Sequence, residues 1–77
     1  MGERERIRWR CRRGLLELDI ILGRFAEQGL DALDPAELET FKALLELSDN
    51  DLWDLISGRS EPGERAQRTL IERLRRL

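Results

Sequence analysis

The chain has 77 residues, 39% charged and 40% apolar, with a formal net charge of −2 at neutral pH. A chain this short argues for one domain of marginal stability, because a small fold buries only about 60% of its unfolded surface. It holds one Cys and no His, which excludes an internal disulfide and multi-Cys metal sites and removes the commonest zinc ligand and general base.

The periodicity is helical throughout. There is no Val, Thr occurs twice, and no stretch alternates like a strand. A first helix is expected over about residues 3–12. Ile7 and Cys11 share a face at i,i+4, which favours Cys11 as a small buried side chain over a reactive thiol. Arg4, Arg6, Arg8, Arg10 and Arg12 recur at every second position. At about 100° per residue they spread around the helix and form no single basic stripe.

A second helix is expected from near Gly14 to Gln28, with Gly29 as a left-handed C-terminal residue. Leu15, Leu18, Ile21, Leu22, Phe25 and Ala26 form its core face. Leu16 and Ile20 lie roughly opposite, near Arg13, Glu17 and Arg24, and suggest a second packed helix or a partner surface. Arg13 and Glu17 stand at i,i+4, the spacing of a surface ion pair.

The third helix has the clearest start. Asp34 is the N-cap, Pro35 takes the first helical position and Glu37 completes a capping box. Leu33 and Leu38 occupy the positions of a hydrophobic staple. Leu38, Phe41, Leu44 and Leu45 face the core, and Leu47 closes the helix. Ser48 starts a fourth helix with Asp51 three residues on, a second capping-box pattern. Leu52, Leu55 and Ile56 face inward, Trp53 flanks them, and Gly58 ends it. Ser60, Glu61, Pro62 and Gly63 form a connector. A fifth helix follows, with Ala66, Leu70, Ile71, Leu74 and Leu77 at helical spacing and Arg73, Arg75 and Arg76 near its C-terminal dipole. The expected fold is an all-α, single-domain bundle of five short helices.

Charge is unevenly distributed. Residues 1–13 carry a net +4, residues 14–58 a net −9 and residues 59–77 a net +3. Basic ends around an acidic centre can serve a partner, or the ends can fold against the middle. Nucleic-acid binding is disfavoured, because the sequence pI is 5.2 and counterion release needs a concentrated basic patch. A helix-turn-helix drawn from the third and fourth helices would present Asp49, Asp51 and Asp54 to phosphates. No apolar run is long enough to span a membrane, and the charged N-terminus lacks a signal-peptide core.

Catalytic and metal sites are not expected. Ser48, Ser57 and Ser60 have no His to activate them. Glu17 and Asp19, at i,i+2 on a helix, point about 200° apart and cannot converge on one atom. Gly14 stands alone, without a phosphate-cradling loop. It suits a chain reversal or the close approach of a partner backbone. Trp9 reads as core packing in isolation, although Trp and Arg are also the types enriched at binding hot spots.

The segment Arg6-Ile7, Trp9, Cys11-Arg12-Arg13-Gly14 and Glu17-Leu18-Asp19-Ile20 resembles the signature of the small bacterial succinate dehydrogenase assembly factors of the SdhE type. Weaker similarity continues through Phe25, residues 41–47 and Asp51-Leu52. Arg8 stands where some relatives carry His. The resemblance implies a cytoplasmic bacterial assembly factor that is not an enzyme. Its implied partner is the flavoprotein subunit of succinate dehydrogenase, or of fumarate reductase, and its implied role is to promote covalent attachment of FAD. The FAD belongs to that partner, with no cofactor stably held by this chain. Arg13 and Gly14 are then expected to approach the partner near its flavin site, with Glu17 and Asp19 orienting Arg13 or binding partner cations. Arg6, Trp9 and Arg12 complete the expected contact set. The alternatives are an antitoxin-like interaction module using the same surface and, third, a DNA-binding regulator.

Overall fold

In a computed structural model that describes residues 2–77, the chain is all-α. Among those residues it forms α1 (Glu3–Arg10), α2 (Leu16–Gln28), α3 (Pro35–Leu45), α4 (Asp49–Ser57) and α5 (Arg65–Arg75), with one 3-10 turn at Leu30–Ala32. α5 packs against α2, α3 and α4, and α2 packs on the 3-10 turn.

Local chemistry sets the boundaries of α3 and α4. The Asp34 carboxylate accepts from the Glu37 N–H at 2.8 Å, and the Glu37 carboxylate accepts from the Asp34 N–H at 3.0 Å. That reciprocal box satisfies two of the orphan donors at the helix start. Leu33 and Leu38, the expected staple, are both buried. Ser48 Oγ accepts from the Asp51 N–H at 3.1 Å, so one half of the second box forms. Gly58 ends α4 at φ +89, the left-handed conformation that glycine adopts without a Cβ clash.

Other boundaries differ from expectation. α1 stops at Arg10 and not Arg12, and α2 starts at Leu16 with Leu15 as an extended N-cap, leaving Gly14 outside both helices. α3 ends at Leu45, two residues before Leu47. Gly29 is not left-handed: its φ is −125. Its requirement is steric, because a Cβ there would stand 2.7 Å from Phe25 Cε1.

One contiguous core joins the helices. It contains Ile7, Cys11, Leu18, Leu22, Phe25, Phe41, Leu44, Leu52, Ile71 and Leu74. Phe25 and Phe41 meet at a ring-centroid distance of 5.0 Å with a tilt of 51°, a geometry that adds about 1 kcal/mol to their burial. Trp53 flanks the core as expected, whereas Ile21 and Leu55 are only partly buried. Ala66, expected to face inward, is exposed. It lines a shallow groove between α3 and α5.

The basic ends fold against the acidic middle. On α1, Arg4 donates to the Leu30 and Leu33 carbonyls, Arg8 meets Asp31 at 3.0 Å and Arg10 meets Glu46 at 2.6 Å. On α5, Arg73 meets Glu37 at 2.9 Å, and Arg75 donates to the Leu55 carbonyl in the last turn of α4. Exposed pairs of this kind contribute little individually. The bonds to helix-end carbonyls do more, since they satisfy acceptors that the helices cannot.

Cys11 is buried beside Ile7. Burial pushes its thiol up from 9.0 to about 11, against the opposing influence of Arg13, Arg10 and Arg8. The folded chain thus keeps a proton that the unfolded chain loses near pH 9, and the stability from this group is lost as pH rises through about 9 to 11. Urea midpoints measured across that window are expected to fall with rising pH, and to fall less in Cys11→Ala. The comparison is needed because Lys42, raised by hydrogen bonds to Glu39 and Glu3, contributes in the same direction.

Candidate functional site

The chain must reverse between Arg10 and Leu16, and the residues of that reversal divide into two groups. Arg13, Gly14 and Asp19 hold the turn together. Trp9, Arg12, Leu16, Glu17 and Ile20 are left outside it.

Arg13 is the centre of the first group. Its guanidinium Nε donates to Asp49 Oδ1 at 2.8 Å, Nη1 donates to the Leu45 carbonyl at 2.6 Å, and Nη2 donates to the Leu47 carbonyl. Leu45 and Leu47 stand at the C-terminal end of α3, where carbonyls lack helical partners, and Asp49 opens α4. One planar side chain therefore fastens the α1–α2 turn to the α3–α4 junction. Only 13% of that side chain is exposed. A delocalised fork with five donors suits this role, and a lysine ammonium could not span the same three acceptors in one plane.

Asp19 secures the backbone of the same turn. Its Oδ1 accepts from the Arg13 N–H at 2.6 Å, and its Oδ2 faces the Gly14 N–H at 3.3 Å. Asp19 lies in the first turns of α2, so its charge also suits the positive end of the helix dipole. Gly14 sits at φ +88, and a Cβ there would meet no other atom within 4 Å. The demand for glycine is conformational, with a cost of about 1–2 kcal/mol for any residue bearing a Cβ.

This arrangement corrects two expectations. The i,i+4 pair between Arg13 and Glu17 does not form, because Arg13 lies before the helix and pairs with Asp49 instead. Trp9 does not pack in the core: it is 60% exposed, with the Arg12 guanidinium 5.1 Å from its ring centroid. That cation–π contact at an exposed site contributes about 0.5–1 kcal/mol and holds both side chains in a defined pose.

Leu16 and Ile20 are exposed at 68% and 46%. They stand one helical turn apart on the outer side of α2, as their departure from the core periodicity implied. Glu17 and Arg6 are exposed, and neither forms an ion pair among the described residues. The contact set expected from sequence is thus split. Arg6, Trp9, Arg12 and Glu17 are free to meet a partner, while the Arg13 side chain and the Asp19 carboxylate are engaged within the fold. Sequence reasoning missed Asp49 and the Leu45 and Leu47 carbonyls. They lie more than thirty positions from Arg13, and no local pattern marks them.

Arg13→Ala leaves two carbonyls and one carboxylate without their shared donor. It is expected to lower unfolding free energy by about 2–4 kcal/mol. Arg12→Ala, which removes only the stacking on Trp9, is expected to cost less than about 1 kcal/mol. Urea denaturation of the two variants checks the order, and equal losses would remove Arg13 from the centre of the fold.

Comparison with known proteins points to one family. The family model described as "Flavinator of succinate dehydrogenase" matches residues 5–77. An "FAD assembly factor SdhE" of Methylococcus capsulatus is 38% identical over 77 residues, covering all of this chain and 93% of that one. The protein of the same name from Vibrio parahaemolyticus is 49% identical over 61 residues, covering 77% of this chain and 71% of that one. The one from Coxiella burnetii is 40% identical over 73 residues, covering 95% and 89%.

Proposed function

The chain belongs to the family described as the flavinator of succinate dehydrogenase, and from that premise we propose that it binds the flavoprotein subunit of that enzyme and promotes covalent attachment of FAD to it. The observation that carries the reading is the fixed α1–α2 turn. Arg13 and Asp19 hold it from inside, while Trp9 with its stacked Arg12, and Leu16 with Ile20, stand exposed. Exposed Trp and Arg presented on a rigid support match the composition of interface hot spots, and the preset geometry lowers the entropy lost on binding.

The flavin supplies the chemistry of its own attachment. This chain offers no group suited to it, since its one thiol is buried and protonated at neutral pH. The proposed contribution is a shift in population: docking favours the partner arrangement in which FAD and its attachment residue meet. The flavoprotein subunit of fumarate reductase is a second proposed client, on the same surface. The proposed place of action is the bacterial cytoplasm, with FAD held by the client. No helix among the described residues is long and apolar enough to cross a membrane.

Two experiments test the reading. In-gel flavin fluorescence of the flavoprotein subunit is expected to be strong with this chain and weak without it. Trp9→Ala is expected to weaken binding by roughly 10–100-fold with little change in stability. Gly14→Ala and Gly14→Arg share one backbone cost at φ +88, so the difference between them reports bulk at the docking surface. Gly14→Arg is expected to lose flavinylation that Gly14→Ala largely keeps. If both variants flavinylate equally, the turn does not face the client.

A further inference from the structure

Gly23 has no evident place in the economy of the fold. It is the one glycine among the described residues that lies inside an α-helix. Gly14 and Gly58 have positive φ and Gly29 would collide with Phe25, while Gly2 and Gly63 lie outside the helices, where glycine costs no helix propensity. None of this applies to Gly23. Its backbone is ordinary helix, and a Cβ built on it meets nothing within 4 Å. Glycine is the poorest helix former after proline, so this position weakens α2 with no gain inside the molecule.

Its place on the helix is informative. At about 100° per residue, Leu16, Ile20, Gly23 and Glu27 fall within an arc of about 60°. The buried face, with Leu18, Leu22, Phe25 and Ala26, lies opposite. Gly23 therefore continues the line of the two exposed apolar side chains, Leu16 and Ile20. The exposed charges Glu17 and Arg24 run along one side of the stripe and Glu27 ends it, as charged residues border the apolar centre of an interface.

We propose that the outer face of α2, from Leu16 through Ile20 to Gly23, is covered by the flavoprotein subunit, with client backbone lying close against α2 at Gly23. This rests on the functional reading above and extends its surface beyond the turn. The occupant follows from continuity: the stripe begins at Leu16, the first residue of α2 and two residues after the Gly14 turn that the functional reading already gives to the client. A missing side chain at Gly23 lets a neighbouring backbone approach the helix axis, as small residues do wherever elements pack closely.

The test separates stability from binding. Gly23→Ala and Gly23→Gln both place good helix formers in open space. Gly23→Ala is expected to raise the melting temperature by about 3–6 °C, and Gly23→Gln to match or exceed the wild type. Affinity for the purified flavoprotein subunit is expected to fall at least about tenfold in Gly23→Gln, and less in Gly23→Ala. A stabilised variant that binds less well cannot be explained by unfolding. If the wild type binds and Gly23→Gln binds within about twofold of it, this proposal fails while the functional reading stands. If the wild type itself does not bind the subunit, both fail. Sedimentation equilibrium distinguishes the other occupant: a wild-type dimer that Gly23→Gln converts to monomer would make the stripe a self-interface and overturn the proposal.

Discussion

The Arg13 guanidinium occupies the place where four parts of the chain converge. It reaches from the α1–α2 turn to the Leu45 and Leu47 carbonyls, at and just past the end of α3, and to the first acid of α4, while the Arg13 backbone N–H is held by Asp19. A chain of 77 residues has little apolar surface to spare for fixing a loop. A mostly buried fork with charge-assisted bonds fixes it instead, at three acceptors that lie more than thirty residues from it in sequence. With the Asp19 carboxylate facing the Gly14 N–H, that contact fixes the chain reversal between α1 and α2.

The same logic runs through the rest of the charge pattern. Arg4, Arg8, Arg10, Arg73 and Arg75 each turn toward the acidic middle or a helix-end carbonyl. Half of the arginines of the two ends are thus spent on joining separate elements of the fold. Arg6 and Arg12 are the exceptions on the N-terminal segment, and they flank the exposed Trp9. The basic N-terminal segment therefore presents an exposed aromatic ring with only a few free charges. That suits a protein partner better than a phosphate backbone.

Much of the fold was legible because its signals are local. The Asp34, Pro35 and Glu37 cap, the Ser48 cap and the Gly58 stop act within four residues of themselves, and each stands where the sequence placed it. Burial of Cys11 followed from its spacing to Ile7, and exposure of Leu16 and Ile20 from their departure from the core stripe. The differences arise where packed side chains override a local spacing rule. The pairing of Arg13 with Glu17 was plausible by spacing, but Asp49 competes from 36 positions away. Glycine after a helix usually adopts a left-handed turn, whereas at Gly29 the Phe25 ring sets the requirement. The size of Trp9 suits a core, yet the inner face of α1 is already filled by Ile7. The contact surface itself was legible only as a set of residues. Its division into an inner support and an outer face needed the turn in three dimensions.

In the proposed function, an internally strapped turn presents the outer faces of α1 and α2 to a flavoprotein. Hydrogen exchange of this chain, alone and mixed with the purified flavoprotein subunit of succinate dehydrogenase, tests it most directly. Protection on mixing is expected in residues 6–28, with the α3–α4 junction equally protected in both samples because Arg13 already holds it. Protection confined to the α3–α5 groove, with residues 6–28 unchanged, would contradict the account.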